Sequence, residues 1–155
     1  MHFRISGIDP APFHHLFELN DAELAAQRAK RYVADSKPGF PCRISLEDAE
    51  PGETVILAPF AHQTVSTAYQ SAGPIFVREG AKERFEAVDI VPEQLMTRLL
   101  SLRAYDDTGM MIDADVVEGR ELTAHITRFF DNAETAYIHA HFARRGCYAA
   151  RIDRA

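Results

Sequence analysis

Two histidines, His139 and His141, sit at i and i+2 in a segment that reads as a strand, Ala136 to Phe142. Alternate strand residues point to one face, so both imidazoles share a face and both can act as acid–base groups. With Asp113 or Asp115 they would make a two-His, one-carboxylate site; with Cys147 they would suit zinc. His-x-His is a short pattern, and no H-x-x-x-H or C-x-x-C supports it, so no residue is assigned as a metal ligand on spacing alone. Cys147 follows Arg144-Arg145-Gly146, and Cys42 precedes Arg43. Neighbouring cations favour a thiolate, and His139 or His141 could serve as its base. The other outcome for each cysteine is a small buried hydrophobe. Arg43, Arg103 and Arg151 supply planar forks that match a carboxylate or phosphate.

Period-two bookkeeping gathers these groups. In the C-terminal third one parity gives Leu102, Ala104, Ile112, Ala114, Val116, Ile138, Ala140, Phe142, Tyr148, Ala150 and Ile152, a face on which helices can pack. The other gives Arg103, Tyr105, Met111, Asp113, Asp115, Tyr137, His139, His141, Cys147 and Arg151. Catalytic candidates on that face are His139, His141 and Cys147. Ligand-binding candidates are Arg103, Arg151, Asp113 and Asp115, joined by Arg43. The alternative is a solvated face laced with ion pairs, each worth little.

The elements that must position these groups are short. Phe3 to Ile8 reads as a strand, ended by Pro10 and Pro12. Asn20 and Glu23 form a capping box for a helix running to about Ala29, with Leu19 stapled onto Leu24. Further strands are expected at 31–35, 42–46, 54–58 and 74–79, with 85–89 extending the last as a hairpin. Phe60 to Gly73 reads as a long loop, with His62 among its polar residues, able to cover a site. Pro92 opens a helix whose apolar face is Leu95, Met96, Leu99 and Leu100. Strands 101–106 and 110–117 flank Asp107-Thr108-Gly109, a hairpin turn. A helix is expected over 121–130, and strands over 136–142 and 147–153. Hairpins with few helices predict an α+β fold: one domain over 1–155, a mainly antiparallel sheet, two to three helices packed on one face.

A chain of 155 residues is one domain's length, and 46% hydrophobic against 26% charged residues excludes disorder as its main state. The net charge of −6 argues against nucleic-acid binding by bulk charge. No apolar run approaches a membrane span, the N-terminus lacks a signal-peptide core, and two cysteines are too few for a disulfide scaffold; the expected compartment is the cytoplasm. Only Lys30, Lys37 and Lys82 are lysines among 17 basic residues. The P-loop, dinucleotide-fold and nucleophile-elbow motifs are absent.

Several segments carry a likeness: Phe3-Arg4-Ile5-Ser6-Gly7, then Lys37-Pro38-Gly39-Phe40-Pro41-Cys42-Arg43, Leu46-Glu47-Asp48-Ala49-Glu50-Pro51-Gly52-Glu53, Gly73-Pro74-Ile75-Phe76-Val77-Arg78, Leu102-Arg103-Ala104-Tyr105-Asp106 into Asp113-Ala114-Asp115-Val116-Val117, and Gly146-Cys147-Tyr148-Ala149-Ala150-Arg151. Together they resemble a bacterial family catalogued as domain of unknown function 1203. The resemblance implies a short, soluble, stand-alone bacterial protein and carries over no catalytic residue. Three functions stay open: a small protein or enzyme binding an anionic small molecule on the polar sheet face, a non-catalytic interaction module or homodimer, and a metal- or thiol-dependent enzyme using His139/His141 or Cys147, with Cys42 as a redox partner.

Overall fold

The computed structural model describes residues 1–155 as one α+β unit with nine strands, all paired antiparallel within their sheets. A six-stranded sheet is built from β1 (Phe3–Ser6), β5 (Glu86–Val88), β6 (Leu99–Tyr105), β7 (Met111–Glu118), β8 (Tyr137–Phe142) and β9 (Tyr148–Arg154), in the order β5-β1-β9-β8-β6-β7. The C-terminal hairpins therefore join directly, β6 against β8. A three-stranded sheet holds β2 (Lys30–Val33), β3 (Thr54–Gln63) and β4 (Ser71–Arg78). No helix is long and apolar enough to cross a membrane.

The larger core lies on one face of the six-stranded sheet. Ile5, Leu100, Leu102, Ala104, Ile138, Ala140, Ala150 and Ile152 point from the strands into it. Leu122, Ile126, Phe129 and Phe130, at helical spacing on α3 (Leu122–Asp131), cover them. Leu95 of α2 (Glu93–Met96) packs on the same side. The second core lies with the three-stranded sheet and includes Ile56, Ile75, Val77, Ile44, Phe13 and Leu24. Leu24 belongs to α1 (Asp21–Ala26), whose start is the expected capping box: Asn20 accepts from the Glu23 amide at 2.8 Å, and the Glu23 carboxylate accepts from the Asn20 amide. Two helices thus cover the sheet's core face, and α1 lies with the smaller sheet.

Several local expectations are corrected. Residues 42–46 form no strand but a turn-rich stretch with one isolated bridge, Cys42 to Phe76, and Leu46 takes a positive φ of 52°. The loop expected over 60–73 is shorter, confined to 64–70: β3 runs on to Gln63 and β4 starts at Ser71. β5 pairs with β1 instead of extending β4. α2 stops at Met96, because Leu99 and Leu100 open β6, where ladder pairing with β7 and β8 replaces helical bonding.

Candidate functional site

On the face turned away from α3, the register lines up side chains from all six strands. One row runs Glu86, Ser6, Arg151, His139, Arg103, Ala114; the next runs Val88, Arg4, Asp153, Tyr137, Tyr105, Met111. The far end of β3 lies over this face. Gln63 and Tyr137 are hydrogen-bonded there through the amide group and the phenol, with contacts at 2.9 and 3.1 Å. Beyond β3 the hairpin continues across the sheet: Thr67 Oγ1 donates to the Gly109 carbonyl at 3.1 Å, and Tyr69 meets Tyr105 edge-on with ring centroids 6.2 Å apart.

A cleft of about 500 Å³ opens between β1, β9 and β8 on one side and residues 8–13 with the end of β3 on the other. Arg4, Ser6, Arg84, Glu86, Arg151 and Asp153 make its charged wall. Ile8, Pro12, Phe13 and Phe60 make its apolar wall, and His62, His139 and Tyr148 line it as well. Phe60 stands 6.2 Å from Phe13 and 5.5 Å from Tyr148 between ring centroids, an aromatic ladder. Two arginines of the cleft are already neutralised: Arg151 by Asp153 at 2.8 Å, and Arg84 by Glu86. Arg4, half-buried on the floor, has no acid within ion-pair reach.

Three imidazoles cluster at the inner end. His62 lies 5.0 Å from His141 and 6.2 Å from His139, and stacks on Tyr148 at 5.3 Å, 15° from parallel. The His141 Nδ1–H donates to the Gly146 carbonyl at 3.0 Å. That bond fixes the tautomer, leaving Nε2 as a lone-pair acceptor. His141 Nε2, His139 Nδ1 and His62 Nδ1 are buried without a hydrogen-bond partner. Burial, then His141, Arg151, His62 and Arg103, push His139 down to about 3; burial and the guanidinium of Arg103 help to bring His141 down to about 4. Burial followed by Arg103 also lowers His62. At neutral pH all three are uncharged, and the two that line the cleft, His62 and His139, can serve a ligand as hydrogen-bond partners, not as proton donors of the imidazolium kind. Burial raises the Tyr148 phenol, so it too stays neutral.

The sequence candidates separate. His139 and Arg151 line the cleft; His141 lies behind them, fully buried. Arg103 is the register partner of His139 on β6, one strand beyond the cleft. Arg43 is not a ligand anchor on the surface: it is 2% exposed, donates to the carbonyls of Tyr148 at 2.8 Å and Pro41 at 2.5 Å, and lies 4.8 Å over the Phe142 ring. Burial lowers its guanidinium to about 10.

Asp113 and Asp115 are on the opposite face. They stand opposite Ala104 and Leu102, both core residues, because the β6–β7 ladder shifts register at Tyr105. There they pair with Arg128 of α3, at 3.5 and 2.9 Å. Of the expected inward set, Ala114 and Val116 are turned over, Val116 being 60% exposed, whereas Ile112, the unpaired residue at the shift, still packs against the larger core. A two-His, one-carboxylate site with either aspartate therefore does not form. No three His, Cys, Asp or Glu side chains lie at metal-ligand spacing.

Cys147 and Tyr148 exchange their expected roles. Ala140 pairs with Ala150 and His141 with Tyr148, so Ala149 is the extra residue of a bulge. The bulge turns Tyr148 from the helix side to the histidine side and leaves Cys147 before the strand, half-exposed, its Sγ 4.0 Å from the Arg145 carbonyl. Cys42 is fully buried, and its sulfur accepts from the Arg78 amide at 3.4 Å. Both cysteines are free.

Sequence reasoning missed Arg4, Arg84, Phe13, Phe60 and Tyr148 as cleft residues. Alternation in Phe3-Arg4-Ile5-Ser6 does place Arg4 and Ser6 opposite the core residues, but only the β1–β9 pairing brings them beside Arg151 and Asp153. Tyr148 carried no signal, since a bulge inverts parity without a mark in this sequence.

No curated protein and no solved structure matches the chain. The model of the family described as Protein of unknown function (DUF1203) matches residues 39–154, three-quarters of the chain and the span that holds His62, His139, Tyr148 and Arg151. The chain belongs to that family.

Proposed function

We propose that the protein binds a small organic anion in the cleft between β1, β9 and the end of β3, with the carboxylate or other anionic group on Arg4. What carries the reading is one juxtaposition: a half-buried guanidinium with no acid partner shares a cleft with His139, a buried imidazole without a hydrogen-bond partner for Nδ1. A concave site with an apolar wall and a few unsatisfied polar groups is the usual form of a small-molecule pocket. The polar pairs Arg151–Asp153 and Arg84–Glu86 frame the ligand and are not its main anchors.

The test is thermal stabilisation by acetate, benzoate and inorganic phosphate at neutral pH, in the wild-type protein and in Arg4→Gln. At least one anion should raise the melting temperature of the wild type in a saturable way. Arg4→Gln should remove that rise while keeping the unliganded melting temperature within a degree or two. Saturable stabilisation that survives Arg4→Gln unchanged would place the anion elsewhere.

A further inference from the structure

We infer that the ligand of this cleft is an aromatic monocarboxylic acid that also carries a hydroxyl or amino hydrogen, its carboxylate on Arg4, its ring against Phe60, and its hydrogen donated to the His139 imidazole. The inference rests on the reading of the cleft as an organic-anion site and adds the class of anion.

Charge decides against a multiply charged ligand. Of the three arginines that line the cleft, Arg151 is held by Asp153 and Arg84 by Glu86, and a third acid, Asp9, lies at the rim. Arg4 alone can accept a new negative charge. A phosphate dianion would gain that one guanidinium and face Asp153 and Glu86 as well. A single carboxylate matches what is free.

Shape decides for a ring. The wall opposite the charges is Phe13 and Phe60, continued by Tyr148, and Phe60 is only partly covered by protein. A flat apolar body fits offset or edge-on against such a ladder. About 500 Å³ accommodates a one-ring acid with its side chain.

The third group is a hydrogen donor. His139 is 1% exposed, lies in the cleft lining, and is kept neutral by burial between Arg151 and Arg103. A neutral imidazole has one acceptor nitrogen. Left unmatched in a buried setting, it carries a cost that a hydroxyl or amino hydrogen of the ligand removes.

Calorimetric titration at pH 7 decides it, with lactate, 3-phenylpropionate, 3-phenyllactate, 3-(4-hydroxyphenyl)propionate and inorganic phosphate as probes. Phenyllactate should bind at least tenfold tighter than lactate, from ring burial. One of the two hydroxylated aromatic acids should bind about fivefold tighter than phenylpropionate, from the hydrogen bond. That fivefold gain should vanish in His139→Phe and persist in His141→Gln, which alters an equally buried imidazole outside the cleft lining. The probe ranking in the wild-type protein stands even where a variant fails to fold. Lactate or phosphate binding as tightly as the aromatic acids, with the binding lost in Arg4→Gln, would overturn the inference and leave the anion site standing. Neither hydroxylated acid exceeding phenylpropionate would overturn the role of His139. No binding by any of the five probes would bring down both readings.

Discussion

Tyr148 stands opposite His141 although Ala150 stands opposite Ala140, with Ala149 unpaired between them. One residue of slip thus carries a phenol from the α3 side to the side of β3, where its ring stacks on His62 and closes the inner end of the cleft. Arg43 holds the slip in place, since its Nε donates to the Tyr148 carbonyl at 2.8 Å. The guanidinium read from the sequence as a ligand anchor instead shapes the site from behind.

Arg43→Lys should therefore destabilise the fold by about 2 kcal/mol. Lysine cannot reproduce two carbonyl contacts and a planar stack on Phe142 at once, and a buried charge that loses its partners is costly. Urea unfolding of the variant measures it. A change below about 0.5 kcal/mol would show that the Arg43–Tyr148 contact does not fix the bulge.

Stability should fall as the solution is acidified from pH 6.5 to 4. Both buried histidines have folded-state values below the ordinary one, about 3 for His139 and about 4 for His141. In that window the unfolded chain takes up protons that the folded chain refuses, so each imidazole removes about 1.4 kcal/mol per pH unit at most. The loss is complete once pH drops below the folded values. The carboxylates held low by their partners, Asp89 by His2 and Asp106 by Thr108, act further down, below the usual carboxylate range. Unfolding free energies at several pH values should show this slope in the wild type and a shallower one in His139→Phe. A flat profile between pH 6.5 and 4.5 would contradict the burial assigned to these rings.

Asp113→Ala and Asp115→Ala should leave binding of any anionic probe unchanged and alter stability by no more than about 0.5 kcal/mol. Their contacts with Arg128 are solvent-exposed and on the face away from the cleft. A tenfold change in probe affinity in either variant would put the aspartates back into the site.

Gly7→Ala should cost about 1–3 kcal/mol. A Cβ there would run into the backbone carbonyls of Ile44 and Arg43, neither of which can swing aside. Gly7 also lines the cleft where the chain leaves β1, so the same substitution should weaken anion binding. Unchanged stability and unchanged affinity together would mean that this close approach is not needed.

The legible parts of the molecule were those where a pattern acts locally. The capping box at Asn20, the helical stripe Leu122, Ile126, Phe129, Phe130, and the turn at Asp107-Thr108-Gly109 each depend on residues a few positions apart. The α+β class followed from hairpin spacing. Parity also joined His139, His141, Arg103 and Arg151 on one face, and the register agrees. Parity failed at the two register shifts, which moved Asp113 and Asp115 one way and Tyr148 the other. The remaining cleft residues come from strands and loops far apart in sequence. Arg4 meets Arg151 and Asp153 only through a pairing between the two ends of the chain, and Phe60 arrives on a strand of the other sheet. Such contacts are set by long-range packing, for which no spacing within a segment is a signal.

The most direct measurement is long-range proton–nitrogen NMR of the imidazole rings during titration with benzoate. The account predicts saturable shifts at His139 and His62, which line the cleft, and none at His125 on α3 or at His14. The same shifts should be absent in Arg4→Gln. Shifts confined to histidines outside the cleft, or an unchanged titration in Arg4→Gln, would contradict the assignment of Arg4 and His139 to one ligand site.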